Sequence, residues 1–203
     1  MRPPKILSFA GSIRTGSYSA HLAALAAKEL ALLGAEPVLI SLQDYPLPIY
    51  DADLEAEEGV PQAAEQLRDQ LALADGVFIA TPEYNASVPP LLKNAIDWAS
   101  RAKGISGGSA AGGGGHDPFK GPVFAIGSTS PGALGGYRAA MMLRQVLALG
   151  LSALVLAEQA MVPAAHQAFT DAGDFKDDRQ LERLRGTLRA LIDQSALRAG
   201  LRA

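Results

Sequence analysis

Four apolar runs in this chain each end abruptly on a loop of small and polar residues, and that punctuation constrains the fold more than any other feature. Residues 5–10 break into Gly11-Ser12-Ile13-Arg14-Thr15-Gly16-Ser17-Tyr18-Ser19, and residues 76–80 break into Thr81-Pro82-Glu83-Tyr84-Asn85. The remaining strand-like runs are 37–42, 123–126 and 152–156. Between them lie helix-like segments at 17–33, 61–74, 89–101, 135–149 and 177–197, the last with Leu181, Leu184, Leu188, Leu191 and Ile192 on one face. Gly34 stops the first helix, and Pro61 suits the first position of the second. Residues 44–51 hold too much proline for either element and read as a structured loop.

Five apolar strands alternating with five helices predict an α/β fold, a doubly wound parallel sheet covered by helices on both faces. Right-handed crossovers then bring the loops after strands one, three and four side by side at one edge. In open parallel sheets, ligands bind outside the carboxyl ends of the strands, so that edge is the expected site.

The chain of 203 residues, 48% of them hydrophobic, has material for one core, and residues 1–203 are expected to form a single domain. Lys and Arg total 18 against 21 Asp and Glu, with no basic block, so neither nucleic acid nor a membrane surface is an expected partner. With no cysteine, disulfides, thiolate metal sites and catalytic thiols are excluded. A cytoplasmic location is the expectation, since no signal peptide or spanning segment is evident. Residues 103–120 depart from this economy. Glycines concentrated in 104–115 make the stretch a flexible insertion by composition, an ordinary mobile loop rather than a lid.

The first loop has the Gly-x-x-x-x-Gly spacing of a triphosphate-binding loop, but Ser17 stands where the lysine belongs, which argues against triphosphate hydrolysis. The hydroxyls of Ser12, Thr15, Ser17 and Ser19, the N–H groups of a helix start and Arg14 suit one phosphate instead. The bland alternative is a serine cap on the following helix. In the second loop, Pro82 with Pro89 and Pro90 stiffens the backbone, Tyr84 offers an aromatic surface, and Asn85 can donate and accept at a heteroaromatic edge. The third loop, from Gly127 to Gly136, combines hydroxyls with glycines but lacks a nucleophile elbow. His21, His116 and His166 have no metal-ligand spacing and are expected on the solvated surface; no metal site is expected.

The first loop together with Thr-Pro-Glu-Tyr-Asn-Ala-Ser-Val-Pro-Pro-Leu-Leu-Lys-Asn-Ala-Ile-Asp-Trp at 81–98 resembles the NADPH-dependent FMN reductase family, which includes bacterial quinone, chromate and azo-dye reductases. Asp44-Tyr45-Pro46-Leu47-Pro48 and the stretch 168–173 fit as well. The resemblance implies a flavodoxin-like three-layer sandwich with strand order 2-1-3-4-5. It implies FMN as cofactor, with its phosphate held by Ser12, Arg14, Ser17 and Ser19 beside Tyr18. Pro82, Glu83, Tyr84 and Asn85 would line the ring, and Ser128, Gly132, Gly135 and Gly136 would close the pocket. Relatives often carry asparagine at the place of Ser19, and the glycine insertion is longer than usual.

The implied activity passes hydride from NAD(P)H, as substrate, through FMN to quinones, free flavin or another small-molecule acceptor. Such chemistry belongs to the cofactor, so no catalytic side chain is expected; Glu83 is read as a residue of loop geometry. The rival readings are an electron carrier or FMN-holding module without turnover, and a phosphate-ester-binding enzyme without flavin. A homodimer or homotetramer is also expected. It follows from the resemblance and from the helix at 89–101, where Trp98 stands off the stripe of Leu92, Ile96 and Ala99.

Overall fold

Residues 2–102 and 117–200 are described by the structure, a computed structural model. Five strands, β1 (Lys5–Ala10), β2 (Glu36–Ile40), β3 (Gly76–Pro82), β4 (Val123–Thr129) and β5 (Leu154–Val162), form one parallel sheet in the order β2-β1-β3-β4-β5. The helices are α1 (Tyr18–Leu32), α2 (Ala52–Glu58), α3 (Gln62–Ala72), α4 (Pro90–Arg101), α5 (Tyr137–Gln145), α6 (Ala165–Ala168) and α7 (Asp178–Gly200). This is the flavodoxin-like sandwich the resemblance implies. Residues 103–116, with most of the glycine insertion and His116, lie outside the described residues.

The alternation of strand side chains builds two cores. Ile6, Phe78, Val123 and Ala125 face α1 and α7, while Leu7, Val77, Ile79, Phe124 and Ile126 face α3, α4 and α5. Ser8 in β1 is a buried polar residue, and its hydroxyl donates to Ala23 O at 2.9 Å in α1, so its burial leaves no orphan. Sheet pairing aligns Ala10 with Ala80, Thr81 with Ser128 and Pro82 with Thr129. The ends of β1, β3 and β4 therefore stand shoulder to shoulder.

Several bounds differ from the sequence reading. β5 runs on to Val162, because an edge strand exposes one side and tolerates Glu158 and Gln159 where a buried strand would not. Its register against β4 shifts between Phe124 and Ile126. Arg144 of α5 reaches that irregularity and donates to Val155 O at 3.3 Å and Leu156 O at 2.5 Å. The expected helix at 135–149 starts only at Tyr137 and loosens into a wide turn at Val146–Gly150. Helix α2 escaped the reading because it buries no residue and so has no apolar stripe.

Trp98 corrects one premise of the sequence reading. It is fully buried, and its indole N–H donates to Pro48 O at 2.8 Å while Tyr50 packs edge-on at 5.0 Å. Asn94 fastens the same loop twice, donating to Pro48 O at 2.8 Å and accepting from Tyr50 N at 2.8 Å. The proline-rich loop at 44–51 thus covers the second face of α4, and Trp98 needs no neighbouring subunit to shield it.

Candidate functional site

The first loop leaves β1 at Gly11, whose N–H donates to Ala80 O at 2.8 Å at the end of β3. A Cβ at Gly11 would stand 2.8 Å from the Leu92 side chain of α4, so glycine is what lets the loop lie down on that helix. The chain turns at Gly16 (φ +67°) and enters α1 at Ser17. Ser17 occupies the cap position, yet its side chain caps nothing. Its Oγ instead lies 2.8 Å from Ser19 Oγ, both buried beneath the loop. Two hydroxyls sharing one bond keep one hydrogen to donate. The start of α1, with its positive dipole end, is left without a side-chain acceptor from within the loop, which is the property an anion seat needs.

Above this start the loop offers exposed donors. The Arg14 guanidinium folds back onto the carbonyl oxygens of Thr15 (3.1 Å) and Gly16 (3.3 Å) and lies 5.8 Å over the Tyr18 ring. Ser12 Oγ accepts from Arg14 N at 3.3 Å, leaving its own hydrogen free. Thr15 is exposed. A cationic, hydroxyl-rich rim over an uncapped helix start fits a phosphate group, and thereby fits FMN, whose phosphate is its most strongly hydrogen-bonding end.

The second loop is a tight hairpin. Tyr84 and Ser87 exchange both backbone hydrogen bonds at 3.0 Å across Asn85 (φ +49°) and Ala86 (φ +65°). Both central residues have positive φ, the signature of a type I′ turn. Asparagine tolerates this; alanine does so only under strain. Tyr84 and Asn85 stand exposed at the tip, and Pro82, half-buried, closes the strand.

Glu83 turns away from the tip. Its carboxylate accepts from the N–H groups of Arg138 (3.1 Å) and Ala139 (3.4 Å) in the first turn of α5, and its Oε1 accepts from Arg138 Nε at 2.9 Å and from Arg138 Nη2. Burial alone would push this carboxyl up, but the hydrogen bonds from Arg138 and Ala139 together outweigh it and hold Glu83 below the usual carboxylate range. Glu83 is the cap of α5, contributed from another loop, and it clamps the second loop to the third.

In the third loop, the buried Ser128 hydroxyl donates to Gly135 O at 2.8 Å. Gly135 (φ +60°) and Gly136 (φ +82°) are required by the fold itself: a Cβ on Gly135 would meet Pro163 N at 2.8 Å, and one on Gly136 would meet Ser128 Cβ at 3.0 Å. Gly132 is exposed and unobstructed at the mouth. So Ser12, Arg14, Tyr84, Asn85 and Gly132 face outward around one edge of the sheet, with Tyr18 beneath Arg14, while Ser17, Ser19, Glu83, Ser128, Gly135 and Gly136 shape that edge from below. Arg138, which sequence reasoning missed, is the partner that orients Glu83; its place at the start of a helix beyond the third loop was the only available signal.

The histidines differ from expectation in one case. His166 is exposed, but His21 is half-buried, set edge-on against Phe169 at 5.5 Å, with Nδ1 shut off from solvent and unpartnered. Among the described residues no group of three or more His, Asp or Glu could hold a metal, and no helix is long and apolar enough to cross a membrane.

Comparison with known proteins converges on one family. The model of the NADPH-dependent FMN reductase family matches residues 4–167. A quinone reductase of Escherichia coli (strain K12) is 36% identical over 188 residues, 92% of either chain. An NAD(P)H-dependent FMN reductase of Pseudomonas aeruginosa is also 36% identical over 188 residues, again 92% of both. Among solved structures, the flavoenzyme NAD(P)H:(acceptor) oxidoreductase FerB from Paracoccus denitrificans superposes with a TM-score of 0.74 at 27% identity, covering 96% of this chain and 98% of that one.

Proposed function

The chain belongs to the NADPH-dependent FMN reductase family, and from that premise we propose that it works as an NAD(P)H:quinone oxidoreductase, using FMN to pass hydride equivalents to a small acceptor. When bound, FMN would supply the redox chemistry, two-electron transfer between a nicotinamide and a small acceptor. The protein's own part is to bind, orient and shield.

The observation that carries this reading is the start of α1, where Ser17 leaves its own helix uncapped under the Arg14 rim. Ser12, Thr15, Arg14 and the first-turn N–H groups of α1 hold the phosphate, with the Ser17–Ser19 pair donating its one remaining hydrogen. Pro82, Tyr84, Asn85 and Gly132 border the ring. Glu83 bears no proton at neutral pH and fixes the distance between the second and third loops through Arg138. The Glu83 carboxylate is engaged in holding α5, which suits a reaction whose proton can come from solvent.

The protein acts in the cytoplasm as one domain and as a homodimer or homotetramer. Exposed Ile49 beside Leu91, around the hollow that Tyr50 and Asn94 also line, supports association through α4 and the loop covering it. Trp98 gives that idea no support, being satisfied within its own chain.

Anaerobic titration of the FMN-loaded protein with NADH or NADPH tests the reading. Loss of the flavin's visible absorbance, and its recovery on adding a quinone, is the expected result. A protein that binds FMN but is reduced by neither nucleotide is the electron carrier or holding module instead, and one that does not bind FMN contradicts both.

A further inference from the structure

A cavity of about 510 Å³ opens beside the first loop, between the amino-terminal half of α1 and the carboxyl end of edge strand β2. Ala10, Ala24 and Leu39 give it apolar walls, and Ser12, His21 and Asp44 supply its polar points. None of its lining residues is lysine or arginine. A mostly apolar hollow with a few placed polar groups suits a base and a sugar, and the absence of a cation makes it a poor seat for any phosphate. Ser12 belongs to both this cavity and the phosphate rim, so an occupant here adjoins the FMN phosphate without sharing its place. β2 lies two strands from β3, roughly 10 Å at about 4.8 Å per strand, a span an extended dinucleotide bridges.

We propose that this cavity seats the adenosine end of the dinucleotide and that the Asp44 carboxylate selects NADH over NADPH. The proposal rests on the reading of the chain as an NAD(P)H oxidoreductase. Asp44 closes the short turn Leu42–Asp44 after β2, is exposed, and forms no ion pair among the described residues. An unpaired carboxylate accepts hydrogen bonds from a ribose 2′-hydroxyl and repels a 2′-phosphate, so it attracts one nucleotide and rejects the other by the same charge.

Isothermal titration of FMN-loaded protein with 5′-ADP and with adenosine 2′,5′-bisphosphate reads the seat without turnover. 5′-ADP is expected to bind roughly tenfold more tightly or better, since like charges brought together near a protein surface cost that much or more. Asp44→Asn, at an exposed position, should bring the two probes to within about twofold and collapse the NADH:NADPH ratio of kcat/KM in the same proportion. Ala24→Trp, which fills the cavity from the exposed side of α1, should weaken both probes and raise KM for NADH while FMN stays bound. Equal affinity for the two probes, an unchanged ratio in Asp44→Asn, or an unchanged KM in Ala24→Trp overturns the proposal while leaving the oxidoreductase reading intact. A wild-type flavin that neither nucleotide reduces sinks that reading and the proposal with it.

Discussion

Glu83 at the end of β3 caps the helix that begins at Tyr137, and Arg138 answers with its side chain, Nε to Oε1 at 2.9 Å. The carboxylate is almost wholly shielded, with 6% of its side chain accessible, whereas Arg138 is 56% accessible. The pair is therefore a one-sided clamp: a sheltered acceptor held by two backbone donors and a guanidinium that solvent can reach. It ties the second loop to the start of α5, beyond the third loop.

Removing the charge should loosen that clamp. Glu83→Gln is expected to lower unfolding stability by about 1–3 kcal/mol, the usual cost of weakening hydrogen bonds to a charged group at a sheltered helix start. Urea denaturation measures it. The sign with pH follows from the depressed folded pKa: the contribution is fully present above the unfolded carboxylate value of about 4.3 and is lost as pH falls through the lower folded value. The gap between wild type and Glu83→Gln should thus be constant from neutral pH down to about 5 and shrink below about 4. A gap that persists at the acid end would mean the carboxylate charge is not what holds α5.

The third-loop glycines separate fold from function. Gly135→Ala forces a Cβ to within 2.8 Å of Pro163 N at φ +60°, and should cost about 2–4 kcal/mol in thermal or urea unfolding. Gly132→Ala meets nothing closer than 3.5 Å at an ordinary φ and should leave stability within about 0.5 kcal/mol. If Gly132 borders the ring, its substitution should still weaken FMN binding. Equal stability losses in the two variants would contradict the placement of the loop.

These positions show where the sequence was legible. The five-stranded parallel sheet and its expected site edge followed from apolar runs and right-handed crossovers, because burial on both faces leaves a continuous hydrophobic signature; the strand order came from the family resemblance alone. The second half of edge strand β5 did not follow, since half-exposed strands admit Glu158, and the Arg144 contact that fills its irregularity is made across eleven residues. The first loop's composition pointed to phosphate, yet only coordinates separate Ser12 and Arg14 on the rim from Ser17 and Ser19 paired beneath it. The cover over Trp98 was not legible because Pro48, which accepts its indole N–H, lies fifty residues earlier, a distance no local period reports.

Arg14→Ala should weaken FMN binding roughly ten- to a hundredfold, the worth of one charge-assisted phosphate bond, while Lys93→Ala should not. Lys93 is instead bound to Asp97, four residues on in α4, at 2.8 Å. Fluorescence titration of apoprotein decides it. Riboflavin, without a phosphate, is the control: because Arg14 also braces Thr15 O and Gly16 O, any loss shared by riboflavin measures loop order, and only the excess seen with FMN measures the phosphate bond. Equal affinities for FMN in the two variants would remove the first loop from the site.

Steady-state kinetics should show substituted-enzyme turnover. If the clamped second and third loops border the ring on one side, as proposed, nicotinamide and quinone compete for the same open face and cannot bind together. NADH oxidation at several fixed quinone concentrations should then give parallel double-reciprocal lines. Glu83→Gln sharpens the test, because loosening the two bordering loops should lower the rates of both half-reactions together in stopped-flow measurements if both use that face. Intersecting lines, or a variant that slows one half-reaction alone, would mean that donor and acceptor occupy separate surfaces.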